Sequence, residues 1–221
     1  DLCVVDVATA TAKDLIVEEM NTSIEWQMPT LVNNNSEIIQ WSERTGWAHL
    51  YRYTADGELI NQITKGEWHV SNVLGADDAK RVIYFTATGY NKDENPYYLH
   101  LFRVNYDGTG LKQLDPKDFN GEFSLSDDRR YFTTTYSRVD AAPVSELYTT
   151  DGRKVMTLET VNLDPLFAIG YQYPEPFVVK AADGITDLHG VMYKPYDFDP
   201  NKKYPIIEYV YPGPQTEAVE Q

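Results

Sequence analysis

The sequence predicts a mainly β protein, most of it built from a short, repeated, four-stranded unit. Three observations carry that prediction. His49-Leu-Tyr-Arg-Tyr53 and His100-Leu-Phe-Arg-Val104 are near copies of one another. Asp-Gly pairs at Asp56, Asp107 and Asp151 recur 51 and then 44 positions apart, each between strand-like runs. Such pairs suit tight hairpins, because glycine accepts positive φ. The composition is rich in Tyr (17 residues), with aromatics at 13%, and these residues, with Val and Thr, favour a pleated surface. Four short strands per unit of roughly 40–50 residues is the mark of a propeller blade.

Taken in order, the chain opens on a partial unit, with strands near Cys3–Val7 and Lys13–Val17. The first full unit has a turn at Asn33–Ser36 and strands at Glu37–Trp41, His49–Tyr53 and Glu58–Ile63. The second has a turn at Ala76–Lys80, strands at Arg81–Ala87, His100–Val104 and Leu111–Leu114, and a long loop through Pro96. The third has a turn at Ser126–Arg130 and strands at Tyr131–Tyr136, Glu146–Thr150 and Lys154–Glu159. A further short strand precedes each unit, as at Asn72–Leu74 and Glu122–Leu125. Propellers close with about four to eight blades, so three and a part predict the later portion of a larger propeller. An open meander is the alternative, and its bare edges would invite aggregation.

The pattern stops at Leu163–Pro176. Pro165, Pro174 and Pro176, with Tyr171 and Tyr173, predict an extended connector. The expected boundary divides residues 1–165 from 166–221. Beyond it, Phe177–Ala181 and Leu188–Tyr193 read as strands joined across Asp183-Gly184. Ile206–Tyr211 reads as a buried strand entering a sharp turn at Pro212-Gly213-Pro214.

Charge narrows the function classes. Nineteen Lys and Arg stand against 34 Asp and Glu, a formal net charge of −15. Nucleic-acid binding needs clustered cations, and no basic run occurs. No apolar run approaches membrane-spanning length. The chain begins in what reads as a strand, so no signal peptide is expected within it and it is expected to be a segment of a longer protein. The single Cys3 precludes an internal disulfide and is expected to be a small core residue.

One stretch carries a resemblance. Lys194-Pro-Tyr-Asp-Phe-Asp-Pro-Asn-Lys-Lys-Tyr-Pro-Ile-Ile-Glu-Tyr-Val-Tyr-Pro-Gly-Pro214, following a propeller, resembles the prolyl oligopeptidase family of serine peptidases. Thr64-Lys-Gly-Glu-Trp68 resembles the Thr-Lys-Gly-(any)-Trp segment of its dipeptidyl peptidase IV branch. The resemblance runs from about residue 25 to 215. It implies an eight-bladed propeller over an α/β-hydrolase domain whose first strands follow residue 176. It implies hydrolysis of peptides by a Ser-His-Asp triad, releasing amino-terminal dipeptides with proline or alanine second. Tyr211 matches the tyrosine of the family's Val-Tyr-(any)-Gly-Pro turn, whose hydroxyl donates to the oxyanion. Pro212 departs from the small residue usual there. No Gly-x-Ser-x-Gly elbow occurs, so the nucleophile and its His and Asp are absent from this chain, which is expected to be inactive alone. The resemblance also implies peptide substrates, a homodimer and a periplasmic or secreted location. Alternatives are a non-catalytic propeller binding module, or a tripeptidyl or acylaminoacyl peptidase of the same family.

Other residues read as structural. His49 and His100 hold equivalent repeat positions, so a blade role is expected rather than a metal, and His69 and His189 are isolated. Asp77-Asp78 and Asp127-Asp128 sit in turns, where Asp caps backbone. Trp26, Trp41, Trp47 and Trp68 are expected between blades. Glu18-Glu19 reads as solvated turn charge, not as the family's paired glutamates. No cofactor or metal is expected.

Overall fold

The computed structural model describes residues 1–210. Three four-stranded antiparallel sheets follow one another, each a simple meander. The first holds β3 (Thr30–Val32), β4 (Glu37–Ser42), β5 (His49–Thr54) and β6 (Leu59–Gln62). The second holds β7 (His69–Asp77), β8 (Val82–Thr88), β9 (His100–Asn105) and β10 (Lys112–Gln113). The third holds β11 (Asn120–Leu125), β12 (Tyr131–Arg138), β13 (Ala141–Thr149) and β14 (Lys154–Thr160). Before them lies a hairpin of β1 (Leu2–Asp6) and β2 (Thr11–Ile16). After them come α1 (Asp164–Ala168) and a hairpin of β15 (Glu175–Lys180) and β16 (Asp187–Met192). The mainly β, repeated architecture expected from sequence is present.

Sheet stacks on sheet, and side-chain alternation sorts each strand between two neighbours. On β8, Ile83 and Phe85 join Ile39, Trp41, Leu50, Trp68 and Phe102 between the first and second sheets. Val82 and Tyr84 join Leu101, Leu114, Phe132 and Tyr148 between the second and third. Both faces of β8 are therefore buried, which is why Val82–Ala87 reads as continuous rather than alternating. The β1–β2 hairpin packs Ile16 on Ile38, Tyr51 and Tyr53.

The Asp-Gly turns explain the repeat. Gly57, Gly108 and Gly152 have φ of +88°, +86° and +86°. A Cβ on Gly57 would stand 2.2 Å from the Leu15 carbonyl oxygen, and one on Gly108 would stand 2.8 Å from that of Ile63. A Cβ on Gly152 would meet the Lys112 ammonium nitrogen at 3.3 Å. Each turn thus seats on the outer strand, or the residue just after it, of the preceding sheet. β2, which carries Leu15, holds the outer-strand place of a blade, so β1–β2 is the equivalent of two blade strands.

The structure corrects several expectations. Cys3 is exposed, its thiol donating to Asp14 at 3.0 Å, because no sheet covers that face of β1 among the described residues. Trp41 and Trp68 are buried between sheets, but Trp26 and Trp47 lie in loops and are 55% and 43% exposed. The connector is not wholly extended: α1 forms because Pro165 falls in a first turn, where its missing N–H costs no hydrogen bond. Residues 206–210 are neither strand nor buried, Ile206 and Ile207 being 92% and 95% exposed. β15 and β16 pair with each other, and among the described residues no strand pairs with that segment.

Candidate functional site

Tyr211, with Pro212, lies outside the described residues. The polypeptide leading to it is anchored. Lys194 pairs with Glu175 at 2.6 Å and lies 4.9 Å from the centre of the Phe198 ring. Phe198 stacks on Tyr204 at 5.1 Å, and the Tyr204 hydroxyl accepts the Asp199 N–H at 2.9 Å. This pins the two-proline loop beside the start of β15, seven residues before Tyr211.

The β15–β16 hairpin borders a cavity of about 430 Å³ against the second and third sheets. Its hairpin wall includes Phe177, Val178 and His189, and its blade wall includes Asp93, Glu94 and Asp118. His189 meets the Tyr97 ring edge-on at 5.7 Å. Among the described residues, the lining has a histidine and carboxylates but no Ser or Cys nucleophile.

Glu94 is engaged in an arrangement that sequence reasoning missed. It accepts from Asn91 at 2.6 Å, from the Asp118 N–H at 2.7 Å and from His100 Nε2 at 2.7 Å. His100 Nδ1 faces Asp115 Oδ2 at 2.7 Å, and Asp115 Oδ1 accepts the Leu101 N–H at 2.8 Å. Carboxylate oxygens 2.7 Å from both ring nitrogens favour the imidazolium form of His100, against a burial that also raises the Asp115 carboxyl above its ordinary value. Burial opposes that charge, and Asp115 and Glu94 outweigh it, raising the pKa above its ordinary value.

His49 uses the same frame with different chemistry. Its Nε2 lies 2.9 Å from the Gly66 carbonyl, which can only accept. Its Nδ1 lies 3.1 Å from Thr64 Oγ1, which accepts the Leu50 N–H at 3.0 Å. Nε2 therefore carries the proton, Nδ1 accepts from the Thr64 hydroxyl, and the ring is neutral. Burial lowers its pKa. Thr64 and Asp115 are the same structural position, and Thr64–Trp68 is a clasp: Trp68 Nε1 donates to the Lys65 carbonyl at 3.0 Å, and its ring meets His49 edge-on at 5.0 Å. The structural role expected for both histidines holds.

The remaining acidic candidates are also structural. Asp78 accepts from the Asn33 N–H at 2.8 Å and from the Tyr106 hydroxyl at 2.7 Å, linking adjacent sheets. Asp128 caps Arg130 and accepts from Ser126. Glu18 is not solvated as expected: it pairs with Arg44 and accepts from Ser42. Glu19 is exposed, and the pair occupies no helix. Among the described residues no group of three His, Cys, Asp or Glu is placed to hold a metal ion. No described helix is long and apolar enough to cross a membrane, which says nothing of a β-barrel.

Comparison with known proteins decides the family. The family model described as "Dipeptidyl peptidase IV (DPP IV) N-terminal region" matches residues 1–143. The chain belongs to this family. Dipeptidyl peptidase 4 of Trichophyton equinum is 34% identical over 197 residues, covering 86% of this chain and 24% of the relative. Dipeptidyl peptidase 4 of Arthroderma otae is 28% identical over 231 residues, covering 99% and 29%. The crystal structure of Porphyromonas gingivalis dipeptidyl peptidase 4 superposes with a TM-score of 0.76 at 21% identity, covering 92% of this chain and 29% of that one. A putative dipeptidyl aminopeptidase IV from Bacteroides ovatus gives a TM-score of 0.62 at 30% identity, covering 82% and 27%. This dipeptidyl peptidase IV-family chain spans about a quarter of the length of the curated relatives it matches. The match to the family's N-terminal region runs from β1 into β13.

Proposed function

We propose that this chain is part of a serine-type dipeptidyl peptidase that releases Xaa-Pro or Xaa-Ala dipeptides from peptide amino termini. The observation that carries the reading is the family match over residues 1–143, joined to the 194–214 stretch. In this reading residues 1–165 are the later blades of an eight-bladed propeller that walls off the active site. Residues 166–221 open the α/β-hydrolase domain, with β15 and β16 among its first strands. The Ser-His-Asp triad comes from the rest of the intact protein, which acts as a secreted or periplasmic homodimer.

Tyr211 is the catalytic contribution of this chain. Attack on a carbonyl places negative charge on its oxygen, and a phenolic O–H aimed there stabilises the tetrahedral intermediate more than the ground state. Without nucleophile and base, the chain alone leaves substrate intact.

The test is cleavage of a Gly-Pro chromogenic amide by the full-length protein and its Tyr211→Phe variant. Loss of one oxyanion donor costs about 10²–10³-fold in kcat, with KM little changed. Absence of cleavage by folded full-length protein overturns the peptidase reading. Equal kcat in the variant removes the oxyanion role alone.

A further inference from the structure

The loop that leaves β16 and leads toward Tyr211 is tied down near both of its ends. Lys194, two residues after β16, pairs with Glu175 at 2.6 Å, and its ammonium lies 4.9 Å from the centre of the Phe198 ring. The Phe198 ring stacks on Tyr204 at 5.1 Å with 27° between the planes, and the Tyr204 hydroxyl accepts the Asp199 N–H at 2.9 Å. Two turns close the loop between these ties. The Phe198 N–H donates to the Pro195 carbonyl at 3.1 Å, and the Lys202 N–H donates to the Asp199 carbonyl at 3.0 Å. Glu175 opens β15, so a continuous series of contacts links Tyr204 to the hairpin.

The segment beyond Tyr204 has no other such tie in view. Residues 205–210 belong to no strand, and among the described residues no strand pairs with them. Pro205 holds Tyr204 in the extended region, so the clasp fixes both where the segment starts and the direction in which it leaves. Tyr211 follows Tyr204 by seven residues. A strand rises about 3.3 Å per residue and turns successive side chains to opposite faces. A slip of one residue along a neighbouring strand would therefore shift Tyr211 by that rise and turn its hydroxyl to the other face. Even about 1 Å of misplacement at a reacting group can cost about 10²-fold in rate.

We propose that Phe198 and Tyr204 are positioning residues for the oxyanion donor: their stacked rings, braced by Lys194 on Glu175, set the register at which the following segment presents the Tyr211 hydroxyl. This inference rests on the peptidase reading above. It gives the chain a second part in catalysis, played by side chains that touch no substrate. Surface ion pairs contribute little, so the ring stack and the hydroxyl bond carry the clasp and the Lys194 pair only steadies it.

The experiment is hydrolysis of a Gly-Pro chromogenic amide by the full-length protein, with Tyr204→Leu and Tyr204→Phe each made in the wild-type and in the Tyr211→Phe background. Tyr204→Leu should lower kcat about tenfold with KM little changed, because the loss falls on a group that acts in the transition state. Tyr204→Phe keeps the stacked ring and loses one hydrogen bond, so it should stay within about threefold of wild type. In the Tyr211→Phe background both substitutions should change kcat by less than about twofold, since no hydroxyl remains to be aimed. A merely structural residue would lower kcat by the same factor in both backgrounds, and that result overturns the proposal. So does wild-type kcat in folded Tyr204→Leu, or an effect confined to KM. Phe198 is 37% exposed, so Phe198→Leu keeps the fold and carries the same expected results should Tyr204→Leu not fold. Absence of cleavage by folded wild type, or equal kcat in Tyr211→Phe, fails the reading itself and this inference with it. Loss in Tyr211→Phe without loss in Tyr204→Leu fails this inference alone.

Discussion

The second four-stranded sheet and the β15–β16 hairpin both carry strand-forming residues and have opposite surroundings. β8 is buried along six of its seven residues, whereas every residue of β15 is exposed. Both are apolar, β-branched and aromatic, and both pair in regular antiparallel register. β8 is covered because the sheets before and after it repeat its own pattern, and each Asp-Gly turn seats on the previous outer strand. The hairpin has no such neighbour among the described residues. A strand pattern therefore specifies pairing locally, while the layer that buries the strand is a separate, distant choice.

Truncating an aromatic ring in each region should show the largest contrast. Phe102 is fully buried between stacked Trp68 and Phe85, and Phe102→Ala should cost about 3–5 kcal/mol. Phe177 is 41% exposed and lies over Gly190 across the hairpin, so Phe177→Ala should cost under about 1 kcal/mol in this chain. Denaturant unfolding of the two variants checks this. On the proposed reading the Phe177 cost rises in the full-length protein, where the hydrolase layer covers it.

Glycines give the next contrast. Gly108→Ala meets both a positive φ and the Ile63 carbonyl, and should cost about 2–3 kcal/mol. Gly184, at φ +70° in the hairpin turn, has open space around it, so its alanine variant should cost about 1 kcal/mol from backbone strain alone. Similar thermal shifts for both would remove the claim that the turns dock the sheets.

The repeat was legible because its cues are local: Asp-Gly pairs, the copied His-Leu-(aromatic)-Arg segments and strand alternation. The clamp on His100 was not, because Glu94 and Asp115 lie in irregular loops, six residues before it and fifteen after. The one available signal was that Thr64 and Asp115 follow their histidines at the same distance. Cys3, Trp26 and Trp47 misled because residue type reports average burial, and whether a sheet covers the strand, or a loop tip turns outward, is set elsewhere. Ile206–Val210 misled for the same reason as the hairpin: its composition suits a central strand, and the described chain supplies it no neighbours. Tyr211 was legible only by resemblance.

The two clasp histidines provide the smallest and sharpest contrast. His100 has a raised pKa, so its contribution to stability is full below the unfolded value of about 6.5 and is lost as pH rises through the folded value. His49 has a lowered pKa, so its contribution is full above about 6.5 and is lost as pH falls through the folded value. Imidazole NMR titration should find His100 protonated and His49 neutral at pH 6.5. His49 and His100 titrating together would contradict the tautomer assignments.

The most direct measurement is amide hydrogen exchange on this 221-residue chain and on the full-length protein, compared residue by residue. In the short chain, β8 and β9 should be strongly protected and β15 and β16 should exchange rapidly, since the hairpin lacks a covering layer. In the full-length protein the hairpin should gain protection to the level of the blades, as the opening strands of a buried hydrolase sheet would. A hairpin as protected in the short chain as β8, or still unprotected in the full-length protein, would contradict the account.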